Sequence, residues 1–342
     1  MRRRVGDDEP MALYLGVDGG GSKTVACVAD GTGRVRGAGR AGGSNFQVVG
    51  EDCAAEAIRL AIERALAGAG APPEAIVAAG FGLCGADRAA DFDTCRRFLA
   101  RVSPSRELTL TNDTTIALRA GTTDGVGIGL VAGTGANQIG VNRRGILHKV
   151  GGLSRILGDS GGALDLGEQA IAAAMRGLDG RGMPTALHER IVERLGLAHL
   201  EDIIEFYFVG THEIFDPACL APLVFETAAA GDSVAIRLVA EAGREAARCA
   251  NVILERLFEP SEAVPIVLGG SLWQRGRSAV MYDALRAGLD PRYTAIDVRL
   301  LDVEPVLGAV LYAFDRSAGQ LAGAAIRARL AETYAHPQAE DS

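Results

Sequence analysis

Lysine is almost missing from this 342-residue chain: only Lys23 and Lys149 occur, and the arginines are scattered among acidic residues. With a formal net charge of −8 and a pI near 5.3, the chain lacks the clustered positive charge that displaces counterions from nucleic acid, so a nucleic-acid partner is excluded. Long apolar runs are missing too. No uninterrupted apolar stretch of about eighteen residues occurs, so neither a transmembrane helix nor a membrane partner is expected. The opening MRRRVGDDEP has no apolar run of the signal-peptide kind and reads as a frayed tail. Cys27, Cys53, Cys84, Cys95, Cys219 and Cys249 form no CxxC pair and mostly sit in apolar patterns. They read as reduced core residues of a cytoplasmic protein, which speaks against a metal or cluster site. Low-complexity linkers and tandem repeats are absent as well.

What is present describes a soluble globular protein: 48% hydrophobic residues, a mean hydropathy of +0.15, and enough length for two domains with proper cores. The richest segment is LYLGVDGGGSKT, residues 13 to 24. An apolar strand ends in Asp18, and Gly19, Gly20 and Gly21 then allow a sharp turn that brings N–H groups close to an anion. Asp18 at the strand end is suited to a hydrated Mg2+ beside nucleotide phosphates. The string is not a Walker loop, because Ser22 separates Gly21 from Lys23. It is not a dinucleotide fingerprint either, because TVACVAD alternates like a second strand and RVRGAGR like a third. The loop therefore joins strand to strand, which an ordinary tight hairpin also does.

The same pattern returns in VGIGLVAGTGANQIGV (126 to 141), a strand, a Gly-Thr-Gly turn and a strand, with Thr134 where Ser22 stood. Between the two lies ELTLTNDTTIAL (107 to 118), a strand running to Asp113 with a helix behind it. VPIVLGGSLWQRG (264 to 276) is a further buried strand that breaks at a glycine pair before a helix. Helical spacing covers 51 to 70, with Ala57, Leu60, Ala61, Arg64 and Ala65 on one face, and the unalternating EAIVAAGFGL (74 to 83) reads as a parallel strand. Helices are expected near 159–176, 184–196, 199–208, 217–230, 232–258 and 274–288, and a last one over 305–332.

In that order these segments resemble the sugar kinase, actin and Hsp70 ATPase superfamily. The resemblance implies an α/β fold of two ribonuclease-H-like (actin-like ATPase) domains with a cleft between them that clamps ATP. The N-terminal domain is expected over 11–118 plus 303–332, and the C-terminal domain, with helical insertions, over 119–302. Closer still is the BadF/BadG/BcrA/BcrD ATPase family with its N-acetylglucosamine kinase members. VDGGGSKT, GGSNFQVVG, TND, AGTGANQ, GGLSRILGD and GSLW carry this likeness, which spans residues 13 to about 330.

The resemblance implies ATP-dependent phosphorylation of a small-molecule amino sugar, N-acetylglucosamine or glucosamine, at the 6-hydroxyl. Asp113 is the expected base that deprotonates the sugar hydroxyl; capping of the helix behind it is the structural alternative. Gly20, Gly21, Ser22 and Lys23 with Gly133, Thr134 and Gly135 are expected to grip the phosphates of ATP, Asp18 to hold Mg2+ through water, and Gly269 and Gly270 to leave room for adenosine. Trp273 is expected in the core. Asn45, Asp113, Ala136, Asn137, Gly152, Leu153, Ser154, Arg155 and Asp159 are carried over for the sugar, whose vicinal hydroxyls call for paired carboxylate and amide groups. Two positions depart from the kinases: Leu153 stands where they usually have Trp, and Ser160 where they have Glu.

GDSGG at 158 to 162 also matches the surroundings of a serine-protease nucleophile, but His148, His188, His199, His212 and His336 lack the context of a triad, and the chain alternates α and β. The string reads instead as the start of a helix whose N-terminal amides face the cleft, with Ser160 near the N-cap. N-acetylmuramate or another hexose remains open as the sugar. So do a noncatalytic sensor and an activator ATPase of the same family, although the activator's cysteine before the second glycine turn is Ala132 here. A homodimer is the default oligomer.

Overall fold

The computed structural model of the chain describes residues 12–205 and 215–335. The tail MRRRVGDDEP, the end of the helix expected over 199–208, and His212 and His336 lie outside the described residues.

β1 (Leu13–Gly19) and β2 (Thr24–Asp30) pair antiparallel with Gly19 opposite Thr24, so the first glycine turn does join strand to strand. β3 (Val35–Ala41) extends this ladder. On the other side of β1, β4 (Ile76–Leu83) and β5 (Leu108–Asn112) add in parallel, which gives the order β3-β2-β1-β4-β5. Parallel pairing requires a crossover, supplied here by the helix Glu51–Ala69, which stops where Gly70 adopts a left-handed φ of 61°. That helix buries Ala54, Ile58, Ala61, Ile62, Ala65 and Leu66. The face expected from spacing is therefore corrected: Leu60 is only half-buried, and Arg64 is exposed and donates from Nη1 to the Arg40 carbonyl at 2.5 Å. Ile58, Ile62 and Leu66 turn the aliphatic stripe toward the sheet and leave Arg64 at its edge.

The helix Val306–Ala318 covers the opposite face, and every residue of β2 is buried as a result. Its approach needs glycine. A Cβ on Gly80 would lie 2.0 Å from the Ala309 carbonyl oxygen, so helix backbone rests directly on strand backbone. The single helix expected over 305–332 is in fact two, Val306–Ala318 and Ala324–Thr333, because Gly319 at φ 65° ends the first.

The second sheet has the order β10-β9-β6-β7-β8, formed by β6 (Gly127–Ala132), β7 (Ala136–Val141), β8 (Leu147–Val150), β9 (Val264–Gly269) and β10 (Ile296–Leu300). It repeats the plan of the first: a central strand with an antiparallel hairpin neighbour on one side and two parallel strands on the other. Sequence reading foresaw β6, β7 and β9 but not the short edge strands β8 and β10. Helices Ala163–Leu178, Leu187–Leu195, Ala221–Ala229 and Ser233–Leu257 intervene between β8 and β9. The first begins four residues later than expected, the third is preceded by a 3-10 turn at Pro217–Leu220, and the span 274–288 divides into Ser271–Gln274 and Ala279–Gly288.

The chain forms two compact units: residues up to Val126 with those from Leu301 onward, and Gly127–Leu300. The six cysteines are free; Cys27, Cys95 and Cys249 are buried, whereas Cys53 and Cys219 are exposed, against their reading as core residues. Among the described residues no single helix is long and apolar enough to cross a membrane.

Unit 1 is locked by one buried cation. Arg119 is 1% exposed and forms a bidentate pair with Asp315, Nε to Oδ2 at 3.0 Å and Nη2 to Oδ1 at 3.1 Å, while Nη1 donates to the Thr123 carbonyl at 3.1 Å. Removing one partner of such a pair leaves the other buried charge uncompensated. Arg119→Met is therefore expected to lower the unfolding free energy by about 3–5 kcal/mol in urea titrations, and a loss below about 1 kcal/mol would contradict this account.

Candidate active site

In unit 1 the expected site residues gather at the C-terminal ends of the parallel strands. Gly20 N–H donates to the Lys23 carbonyl at 2.9 Å and closes the first glycine turn. The GGSN segment packs on it: Ser44 N–H donates to the Gly20 carbonyl at 2.9 Å, and Thr24 Oγ1 donates to the Gly42 carbonyl and contacts Ser44 Oγ, each at 2.8 Å. Asn45 follows at once. Its Oδ1 caps the short helix Phe46–Val49 by accepting from Gln47 N at 3.1 Å, and its Nδ2 reaches Cys84 Sγ at 3.6 Å.

Cys84 N–H in turn donates to the Gly19 carbonyl at 2.7 Å, and Asn112 Nδ2 donates to Asp87 Oδ1 at 2.9 Å. The loop Cys84–Asp87 thus connects the glycine turn and Asn45 to the end of β5. Sequence reading missed this loop, although the glycine after a buried strand in FGLCGAD was a usable signal. Asn112, not Asp113, is the N-cap of the helix Asp113–Gly121, with its Oδ1 accepting from Thr114 N at 2.9 Å. Asp113 is the first helical residue, and its Oδ1 also meets Thr114 N, at 2.8 Å.

Asp18 and Asp113 interact electrostatically. Burial pushes the Asp18 carboxyl up from its ordinary 3.8 to about 7; Asp113 and Glu304 add to the rise, and Lys23 opposes it. Lys23 itself lies 3.8 Å from Glu304, another residue the sequence did not point to.

In unit 2 the second glycine turn, Gly133 to Gly135, is closed by Gly133 N–H donating to the Gly135 carbonyl at 2.8 Å. Two further segments pack on its backbone. Gly270 sits against Ala132, where a Cβ would come within 2.4 Å of the carbonyl oxygen, so the glycine pair of β9 does adjoin the turn. Gly162 lies against Gly135, and Ala163 and Leu164 N–H donate to the Gly133 and Thr134 carbonyls at 2.9 and 3.0 Å.

The last contacts bear out the glycine-rich helix start read in GDSGG but correct its cleft-facing amides. The helix starts at Ala163 with Gly162 as N-cap, its first amides are bonded to the second turn, and Ser160 caps nothing: it donates to Asp165 Oδ2 at 2.7 Å. Trp273, 4% exposed, is in the core as expected.

The candidate sugar residues of unit 2 are brought together around one loop. A Cβ on Gly152 would stand 2.4 Å from Asn137 Oδ1, Lys149 Nζ donates to the Gly152 carbonyl at 3.2 Å, and Asp159 Oδ2 accepts from Leu153 N at 2.5 Å. Ser154 caps the 3-10 turn Arg155–Leu157. Ala136 opens β7 beside Asn137.

The family model of the BadF/BadG/BcrA/BcrD ATPase family matches residues 15–313. The chain belongs to this family. Among curated relatives, the N-acetyl-D-glucosamine kinase of Dictyostelium discoideum is 27% identical over 315 residues, covering 89% of this chain and 98% of that protein. The N-acetylmuramic acid/N-acetylglucosamine kinase of Clostridium acetobutylicum is 28% identical over 303 residues, with the same coverage. The fold matches a solved Chromobacterium violaceum structure, described as a candidate N-acetylglucosamine kinase, with a TM-score of 0.70 at 23% identity over 89% of this chain and 99% of that one. The two five-stranded units are thus those of the actin-like ATPase and sugar kinase fold.

For this BadF-family member the position of Asp18 has a measurable consequence. Because its folded-state pKa exceeds the unfolded value, the folded protein holds an extra proton between about pH 4 and about pH 7, and this contribution to stability is lost as pH rises through that window. Asp18→Asn is expected to gain stability over the wild type from pH 5 to pH 8, by up to a few kcal/mol, in denaturant titrations at both ends of the range. A difference between the two proteins that stays constant with pH would contradict it.

Proposed function

We propose that this BadF-family protein is an ATP-dependent amino-sugar kinase that phosphorylates N-acetylglucosamine or glucosamine at the 6-hydroxyl. The observation that carries the reading is the placement of Asp113: Asn112 is the N-cap of the helix, and Asp113, whose Oδ1 meets the same Thr114 N–H, follows the end of β5 within electrostatic reach of Asp18 beside a glycine turn. Two curated relatives matched over nearly their whole length are kinases of this substrate class.

In this reading Asp113 accepts the proton of the sugar hydroxyl as that oxygen forms its bond to the γ-phosphorus of ATP, and the β–γ bridging oxygen leaves with ADP. Each glycine turn is suited to phosphate oxygens, Gly20, Gly21, Ser22 and Lys23 in unit 1 and Gly133, Thr134 and Gly135 in unit 2, and Gly269 and Gly270 leave room for adenosine beside the second turn. Asn45, Asn137 and Asp159 with the loop Gly152–Arg155 orient the sugar hydroxyls. Asp18 suits Mg2+: its carboxylate is held close to Asp113 and is driven toward the proton-bound form, which a divalent cation would replace. No cluster of three or more metal-ligating side chains occurs among the described residues, so the ion would arrive with the nucleotide, ligated chiefly by phosphates and water. When bound, Mg2+ neutralises charge on the phosphates. A cytoplasmic setting agrees with six cysteines in the thiol form.

The test is a coupled ADP assay with Mg-ATP across a panel of N-acetylglucosamine, glucosamine and N-acetylmuramate. Amino-sugar-dependent turnover is expected, and Asp113→Ala should reduce it at least about a hundredfold, as loss of a general base does. ADP release independent of any sugar, or a fully active alanine variant, would refute the reading.

A further inference from the structure

Asp165 is a buried carboxylate that the reading above leaves without a task. It lies in the first turn of the helix Ala163–Leu178 and is 7% exposed. A charge so placed needs partners, and it has four. Oδ2 accepts from Ser160 Oγ at 2.7 Å, from Gly161 N at 2.9 Å and from Gln169 Nε2 at 2.7 Å. Oδ1 is 3.4 Å from Arg155 Nε, and the same guanidinium contacts Glu168.

Three of these partners, the ion-paired Arg155 and the donors Ser160 and Gly161, belong to the loop from Gly151 to Gly161. This loop holds itself together from within through Asp159, which accepts from Leu153 N at 2.5 Å and donates its own N–H to the Ser154 carbonyl at 3.3 Å. Asp165 is its anchor on the rigid body of unit 2, because it sits on a helix whose first amides are bonded to the second glycine turn. At position 160 a hydroxyl can donate to the buried carboxylate, where an acidic side chain would set a second carboxylate against it.

We propose that Asp165 is a positioning residue for the sugar. Through Ser160 and Arg155 it holds the 151–161 loop so that Asp159 and the Gly152–Arg155 backbone are presented in a fixed arrangement. The proposal rests on the kinase reading for its substrate, and two independent measurements on the full chain separate the two.

The first is steady-state kinetics of the wild type, Ser160→Ala, Ser160→Thr, Asp165→Asn and the Ser160→Ala/Asp165→Asn double variant, with N-acetylglucosamine and ATP varied in turn. Ser160→Ala and Asp165→Asn are expected to raise KM for the sugar about tenfold and to leave KM for ATP within about twofold, the size of one lost charge-assisted hydrogen bond. Ser160→Thr keeps the hydroxyl and should restore the sugar KM, and the double variant should be no worse than Asp165→Asn alone. The second is hydrogen–deuterium exchange of residues 151–161, which needs no turnover; Ser160→Ala should speed exchange there and not in β6 or β9. Equal changes in both KM values, or a Ser160→Ala protein with wild-type kinetics and exchange, would overturn the proposal. A wild type that phosphorylates no amino sugar while Ser160→Ala still loosens the loop would sink the kinase reading and, with it, the sugar-positioning role, leaving Asp165 an anchor only.

Discussion

Burial of the Asp18 carboxyl near the end of β1, with Asp113 after β5 close enough to push it further up, is the constraint at the edge of the sheet in unit 1. Asp18 is aligned with Gly82 of β4, and Leu83 of β4 with Asn112 of β5, so β1, β4 and β5 deliver their C-terminal ends to one edge of the sheet. Open α/β sheets bind ligands at that edge. The helix Val306–Ala318 and the Arg119–Asp315 pair fix the strands from one side, and the alanine-rich helix Glu51–Ala69 covers the other. A proton or a cation at Asp18 relieves that constraint, and the same edge carries the glycine turn suited to an anion.

Unit 2 repeats the sheet but solves its loop problem differently. Its glycine turn is clasped by backbone from two directions, Gly270 after β9 and Gly162 before the helix Ala163–Leu178. Backbone-to-backbone contact leaves no side chain to yield, so the turn, the β9 glycine pair and the helix start form one stiff assembly. The more exposed 151–161 loop hangs from that assembly through the buried Asp165 carboxylate.

Much of this was legible beforehand where local chemistry dictates it. The two glycine hairpins, the parallel β4 and the glycine break after β9 are written in strand patterning and turn residues that few other conformations tolerate. The expected sugar positions Asn137, Gly152 and Asp159 do lie together in unit 2, while Asn45 and Asp113 lie near the first turn in unit 1. Less visible were residues whose role comes from partners far along the chain. Cys84 meets Gly19 and Asn45, and Glu304 meets Lys23, across sequence separations that no window of periodicity spans. Edge strand β8 (LHKV) is only four residues long and lacks clear alternation, whereas β10 (IDVRL) does alternate apolar and polar residues, a strand signal that was legible but not used.

The amino-acid sequence by itself determined the hairpins, the crossover helix and the family, because glycine, strand alternation and capping act over a few residues. Tertiary structure alone decided what each polar group is bonded to. GDSGG illustrates the division: the helix does begin after it, but the first helical amides, of Ala163 and Leu164, are bonded to the Gly133 and Thr134 carbonyls, and the serine and Gly161 N–H of GDSGG turn to the buried Asp165 carboxylate. Hydrogen-bond partners of buried groups are chosen by what the fold brings near, and desolvation makes each choice costly to leave unmet.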